Sequence, residues 1–246
     1  MAKTRLLLDQ VTALERYEAV VPEKDAVHEM RVAARRLRAV LRLLQLRKLD
    51  PKVKALQDAL GEVRDLQLQI DWLQGRDAAL GRSRRARLRK AEEALRRELR
   101  TWHSRTLPAI LEAIAGSSSP TSRTLSKVLH KRLNRLQERM QRARTRPTPA
   151  SLHRLRISAK QVRYLLEVAH DSLPAKVMRL QSDLKTLQTV LGELHDVDVR
   201  IGLVSAKPGL LREQEEARKR LSKIAEAQLA RWHKQHLVQR VDGALR

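Results

Sequence analysis

The chain contains no cysteine. Disulfides, thiolate metal sites and cysteine nucleophiles are therefore excluded, and a reducing compartment is allowed. Phenylalanine is absent too, and three Trp and two Tyr make up the whole aromatic complement. Stacking of bases on aromatic rings, the usual way to hold single-stranded nucleic acid, has few residues to work with. No apolar run approaches the roughly 18 residues of a membrane span. The opening "MAKTRLLLDQ" offers only three consecutive leucines, too few for a signal peptide. A soluble cytoplasmic protein is the expectation. Acids are scarce beside bases: 28 Asp+Glu against 52 Lys+Arg in 246 residues, a formal charge of +24. So much charge of one sign opposes compaction and calls for a polyanionic partner: nucleic acid, an anionic membrane surface or polymeric phosphate.

What the sequence does have is helical pattern. Val, Ile and Thr never gather into alternating runs, while Leu recurs at three- and four-residue spacing almost everywhere, so the fold class is all-α. Breakers divide the chain. Pro22 and Asp25 precede one helix, and Pro51 suits the first turn of the next. Gly75 and Gly81 bracket a junction, and "AGSSSPTS" (115–122) reads as a linker. "RTRPTPAS" (144–151) reads as a rigid turn with Ser151 as an N-cap, and "SLPAK" (172–176) and "AKPGL" (206–210) close the set. About eight helices result.

The halves repeat. "HEMRVAARRLR" (28–38) aligns with "HRLRISAKQVR" (153–163), placing His28 on His153, Arg31 on Arg156, Arg35 on Lys160 and Arg38 on Arg163. Met30, Val32, Leu37 and Leu41 fall on Leu155, Ile157, Val162 and Leu166. "LQDALGEVRDLQLQI" (56–70) aligns with "LQTVLGELHDVDVRI" (187–201), so Gly61 meets Gly192 and Asp65 meets Asp196; Trp102-His103 then meets Trp232-His233. The simplest reading is an internal duplication with a unit of roughly 120 residues, giving two four-helix bundles related by a pseudo-two-fold axis. The first repeat covers about 1–116 and the second about 122–246.

The charges are patterned as well. At 100° per residue, His28, Arg31, Arg35, Arg38 and Arg42 share an arc of roughly 80°. Met30, Ala34, Leu37 and Leu41 lie nearly opposite. His153, Arg156, Lys160 and Arg163 repeat the cationic face, but Glu167 replaces the counterpart of Arg42. A second stripe, Arg82, Arg85, Arg89, Arg96, Arg100 and His103, is interrupted by Glu92 and Glu93. Its counterpart is weaker, with Glu226 and Ala230 in place of Arg96 and Arg100. A third runs through Arg132, Arg135, Arg139 and Arg142. The alternative is a solvated face laced with intrahelical salt bridges, which would need acids four residues from the bases. In 28–42 the only acid is Glu29, off the stripe. Like charges at i and i+4, such as Arg31 and Arg35, repel by a few tenths of a kcal/mol per pair. A cost placed at matching positions in both halves points to an anion there. Guanidinium stays charged and grips phosphate oxygens in bidentate fashion. Groups one helical turn apart, ~5.4 Å, suit closely repeated phosphates.

With its two His-x-x-Arg-x-x-x-(Arg/Lys)-x-x-Arg helices, each followed by an "LQ…LG…D" helix, the chain resembles the CHAD domain, the conserved histidine α-helical domain, from about residue 5 to 240. The resemblance implies two pseudo-symmetric four-helix bundles around a basic central cavity, and binding of inorganic polyphosphate at polyphosphate granules without catalysis. The residues it marks are His28, Arg31, Arg35, Arg36, Arg38 and Arg42, with His153, Arg156, Lys160 and Arg163. Gln161 replaces Arg36 in the second half. Arg132, Arg135 and Arg139 are further polyphosphate-binding candidates, and Arg85, Arg89, Arg96 and Arg100 weaker ones.

His28 and His153 either touch phosphate or cap and pack near a helix start. "HEMRV" lacks the second His of a zinc HExxH motif. Asp65 and Asp196 suit capping or bridging to a neighbouring Arg better than a metal. His233 and His236 share a face but lack a third ligand, so no metal or cofactor is expected. A nucleic-acid-binding protein would share the charge logic but calls for a helix-turn-helix or an aromatic platform. An enzyme acting on polyphosphate would need acidic Mg²⁺ ligands grouped in the basic stripes. No Ser-His-Asp set or Gly-rich phosphate loop is present.

Overall fold

The leucine spacing becomes helix along the chain. The computed structural model describes residues 2–115, 122–170, 173, 175–178 and 180–234. Among them every regular element is helical: α1 (Ala2–Glu18), α2 (Lys24–Leu43), α3 (Asp50–Leu73), α4 (Ala78–Thr101), a π-helical turn (Trp102–Thr106), α5 (Leu107–Ala115), α6 (Ser122–Thr145), α7 (Pro149–Val168), the short α8 (Ala175–Met178), α9 (Leu180–Leu203) and α10 (Pro208–Lys234). The chain divides into two compact units, residues 1–120 and 121–246. Most of the 115–122 linker, and His236, lie outside the described residues.

In the first unit α1 packs on α2, α2 on α3 and α3 on α4. The core side of α2 is Val27, Met30, Ala34, Leu37 and Leu41, each at most 0% exposed. On α3, which packs against α2, Leu56, Leu60 and Val63 are likewise buried. In the second unit α7 packs between α6 and α9, and α10 lies against α9 and α6. Leu155, Val162, Leu166 and Ala169 of α7 are buried as the pattern requires, whereas Ile157 is 36% exposed and joins no core. Trp102 and Trp232 are the largest fully buried side chains of their units. Fully burying side chains of this size contributes about 1.5–3 kcal/mol each.

Two junctions differ from the sequence expectation. Gly75 has φ +73° and makes the turn after α3, but Gly81 lies buried inside α4. Asp77 is the N-cap of α4, its carboxylate accepting from Leu80 N at 2.9 Å. Thr148, not Ser151, caps α7: Ser151 N donates to Thr148 Oγ1 at 3.2 Å, while Thr148 N donates to Ser151 Oγ at 2.9 Å. This reciprocal box, with Pro149 in the first turn, fixes where α7 and its basic residues begin. Thr148→Ala should cost the second unit about 1 kcal/mol, read as a lower denaturation midpoint with unchanged slope.

Candidate anion-binding site

In the first unit, the basic face is the side of α2 that α3 flanks. His28, at its start, is exposed, and Arg31, Arg35, Arg36, Arg38 and Arg42 are half-buried. The apolar side of α2 is core, so its arginines emerge at the seam with α3. There they meet carboxylates that the α2 pattern alone does not reveal. Arg38 clamps Asp50 through Nε at 2.8 Å and Nη2 at 3.3 Å, and its Nη1 donates to Gln57 at 3.0 Å. Arg42 Nη2 reaches the same carboxylate at 3.1 Å. Burial raises the proton affinity of Asp50, but the Arg38 hydrogen bond and the Arg42 and Arg38 charges outweigh it and hold the carboxyl below its ordinary value.

Nearer the start of α2 the pairing is looser. Arg31 Nη1 donates to Asp65 at 2.9 Å, but that carboxylate is 57% exposed. Gly61 keeps the α3 surface low here; a Cβ would lie 3.5 Å from Arg31 Nη2, an ordinary contact. At the matching glycine, Gly192, nothing comes within 4 Å of the Cβ position. An exposed ion pair of this kind is worth little and is readily exchanged for an external anion.

In the second unit, a separate basic face lies on α7 and α6. Arg163 pairs with Glu167, one turn on, at 3.4 Å, and lies over the Tyr164 ring at 5.0 Å. Glu167 thus serves Arg163 as Asp50 serves Arg38, although it comes from the same helix. Arg132 Nη1 donates to Gln161 at 2.7 Å, so α6 brings a guanidinium to the position where the first repeat carries Arg36. Arg139 Nη1 donates to the backbone oxygen of Arg154 at 2.9 Å, and Arg135 is exposed beside it on α6. Burial lowers the proton affinity of Arg139, and the charges of Arg135, Arg154 and Arg142 lower it further against Glu138 alone.

His153 faces His195 of α9, with Nδ1 atoms 3.3 Å apart and ring centroids 4.7 Å apart. One Nδ1 donates and the other accepts, so two protonated rings cannot keep this geometry. Burial, then Arg156, Lys160 and Arg154, lower the proton affinity of His153. The unfolded chain therefore takes up this proton first. The histidine's contribution to stability is complete above pH ~6.5 and is lost as pH falls through the lower folded value. In the unliganded protein, His153→Gln should lessen the loss of melting temperature between about pH 7 and pH 5, and change little at pH 8.

The weaker candidates Arg85, Arg89, Arg96 and Arg100 are all exposed on α4. They share no side chain with the α2 seam. Asp198, part of "HDVD", is engaged by Arg218 Nε at 2.7 Å. Among the described residues no group of three or more His, Asp or Glu is placed to hold a metal ion, and no helix is long and apolar enough to cross a membrane.

The described residues form helices only, several with basic faces, and the comparisons with known proteins assign the family. The profile of the CHAD domain matches residues 5–205. The chain belongs to the CHAD domain family. Among solved structures, the crystal structure of the CHAD domain from the plant Ricinus communis is similar, with a TM-score of 0.70 at 22% identity, covering 93% of this chain and 90% of that one. Curated protein sequences yielded no match.

Proposed function

We propose that the protein binds inorganic polyphosphate, without catalysis, through the basic faces of α2 and of α6 with α7. The observation that carries this reading is cationic crowding on the second unit. The charges that depress His153 are all cations, and those around Arg139 are cations but for Glu138. Such crowding weakens the unliganded fold and is relieved by a bound polyanion. The gripping residues are His28, Arg31, Arg35 and Arg36 in the first unit, and Arg132, Arg135, Arg139, His153, Arg156 and Lys160 in the second. Arg38, Arg42 and Arg163 are partly engaged by Asp50 and Glu167, and act mainly to hold the helices that present the others. Family membership supports the same ligand, and an extended one would bring the protein to polyphosphate granules in the cytoplasm.

Nucleic acid is the rival ligand, and among the described residues no element presents an aromatic platform for it. Competition separates the two. Long-chain polyphosphate should displace bound DNA at equal phosphate concentration, with DNA unable to do the reverse. It should also raise the melting temperature, since a ligand of the native state at 100 times its Kd stabilises by about 2.7 kcal/mol. Phosphate release from polyphosphate with Mg²⁺ present would instead reveal an enzyme.

A further inference from the structure

One concave site stands apart from these faces and belongs to the first unit alone. The C-terminal end of α1, the following turn and the end of α4 enclose an open cleft of about 730 Å³. Arg96 and Arg100 line it one turn apart, Leu99 and Val21 supply an apolar floor, and Glu18 and His103 close one end. The Glu18 carboxylate meets His103 Nε2 at 2.7 and 2.9 Å. Ser104 also borders the cleft, but its hydroxyl donates to the backbone oxygen of Arg100 at 2.8 Å.

The backbone is irregular at the same place. Leu107 N bonds to Trp102 O, a π-helical turn across Trp102–Thr106, and such turns recur at functional sites. The Arg96 and Arg100 guanidiniums make no ion pair among the described residues, so their charge is available in the cleft. The second repeat does not reproduce them: Glu226 and Ala230 stand at the matching positions. The duplicated polyphosphate pattern therefore does not account for this site.

We propose that this cleft binds a nucleoside phosphate. Two guanidiniums bear donors only and suit the terminal phosphates. The apolar floor suits a base, which inorganic phosphate lacks. The carboxylate of Glu18 is an acceptor only and suits the hydroxyl donors of a sugar. Arg96 and Arg100 set two positive charges in the cleft against the one carboxylate of Glu18. A mostly apolar concavity with a few convergent polar groups is the usual form of a small-molecule site, and this cleft falls in the usual volume range. The proposal does not depend on polyphosphate binding at α2 and α7.

The test is calorimetric titration of the full chain with ADP, pyrophosphate and adenosine, without divalent metal. ADP should bind at least about tenfold more tightly than either fragment, because only ADP uses both the guanidiniums and the floor. Arg96→Glu with Arg100→Ala copies the residues of the second repeat and should weaken ADP more than about tenfold while leaving the melting temperature within a few degrees. The milder Arg100→Gln should weaken it less, and serves if the double variant unfolds. Absence of ADP binding at millimolar concentration, equal affinity for ADP and pyrophosphate, or ADP binding indifferent to Arg96 and Arg100 would overturn the assignment. Polyphosphate affinity measured on the same samples reports separately on α2 and α7.

Discussion

Replacing Arg156 and Lys160 together with alanine should weaken long-chain polyphosphate binding by about a hundredfold, while helicity is retained. A charge-assisted hydrogen bond contributes about 1.5–3 kcal/mol, and the lower end applies to half-buried cations that water partly screens. Two such losses give about 3 kcal/mol, which is a hundredfold or slightly more. The fold should survive, because the core of α7 is Leu155, Val162 and Leu166, none of which is touched. The two cations stand at i and i+4, so removing them also relieves like-charge repulsion along α7. A second readout distinguishes a lost site from a damaged helix. Arg156 and Lys160 are the leading charges that depress His153, so its proton affinity should rise toward the ordinary value in the variant, visible by NMR titration. Arg31→Ala with Arg35→Ala should act in the same direction on the first unit. There the loss deepens because Asp65 keeps its negative charge beside the ligand. Arg163→Ala should cost less, since Glu167 already engages that guanidinium.

Asp50→Ala should be the most destabilising single change at the site. Arg38 is 12% exposed and Arg42 26%, and both depend on the one carboxylate. Without it two guanidiniums face each other across a half-buried seam. Removing one partner of a fully buried pair costs about 3–5 kcal/mol, and partial access to water brings the expectation to about 2–3 kcal/mol. The depressed carboxyl sets the sign of the pH dependence. Its contribution is present above the ordinary carboxylate value and is lost as pH falls through the lower folded value. The difference in stability between wild type and Asp50→Ala should therefore shrink under acid. Long-chain polyphosphate should restore part of the melting temperature of Asp50→Ala, because the unmasked Arg38 and Arg42 gain an external counter-ion.

The sequence carried the helices well, because core leucines recur at helical spacing whatever they pack against. It also carried the direction of the faces: Met30, Leu37 and Leu41 are buried while His28 is exposed. What it hid are contacts between helices. Asp50 and Asp65 lie on α3, so a search for acids along α2 finds only Glu29, although the bridging role expected of Asp65 is seen with Arg31. The Arg132–Gln161 contact depends on how α6 crosses α7, and no spacing within either helix encodes it. The N-cap moved from Ser151 to Thr148 because both carry hydroxyls three residues apart and the box uses them reciprocally. The π-helical turn has no signature in the leucine pattern. The 3.6-residue count across Arg96, Arg100 and His103 therefore missed the cleft they form with Glu18, which comes from a helix distant in sequence. The expectation of a basic central cavity rests on the family resemblance alone.

The most direct measurement is a calorimetric titration with polyphosphate of defined length, and with DNA of equal phosphate content, at two salt concentrations. It is run on the wild type and on Arg156→Ala with Lys160→Ala. Polyphosphate should bind more tightly than DNA, with affinity falling steeply as salt rises. The variant should lose both affinity and about 1.4 in the salt slope, as expected when two phosphate contacts disappear from a single-stranded polyanion. Wild-type affinity and slope in the variant would remove α7 from the site, and tighter binding of DNA than of polyphosphate would contradict the proposed ligand.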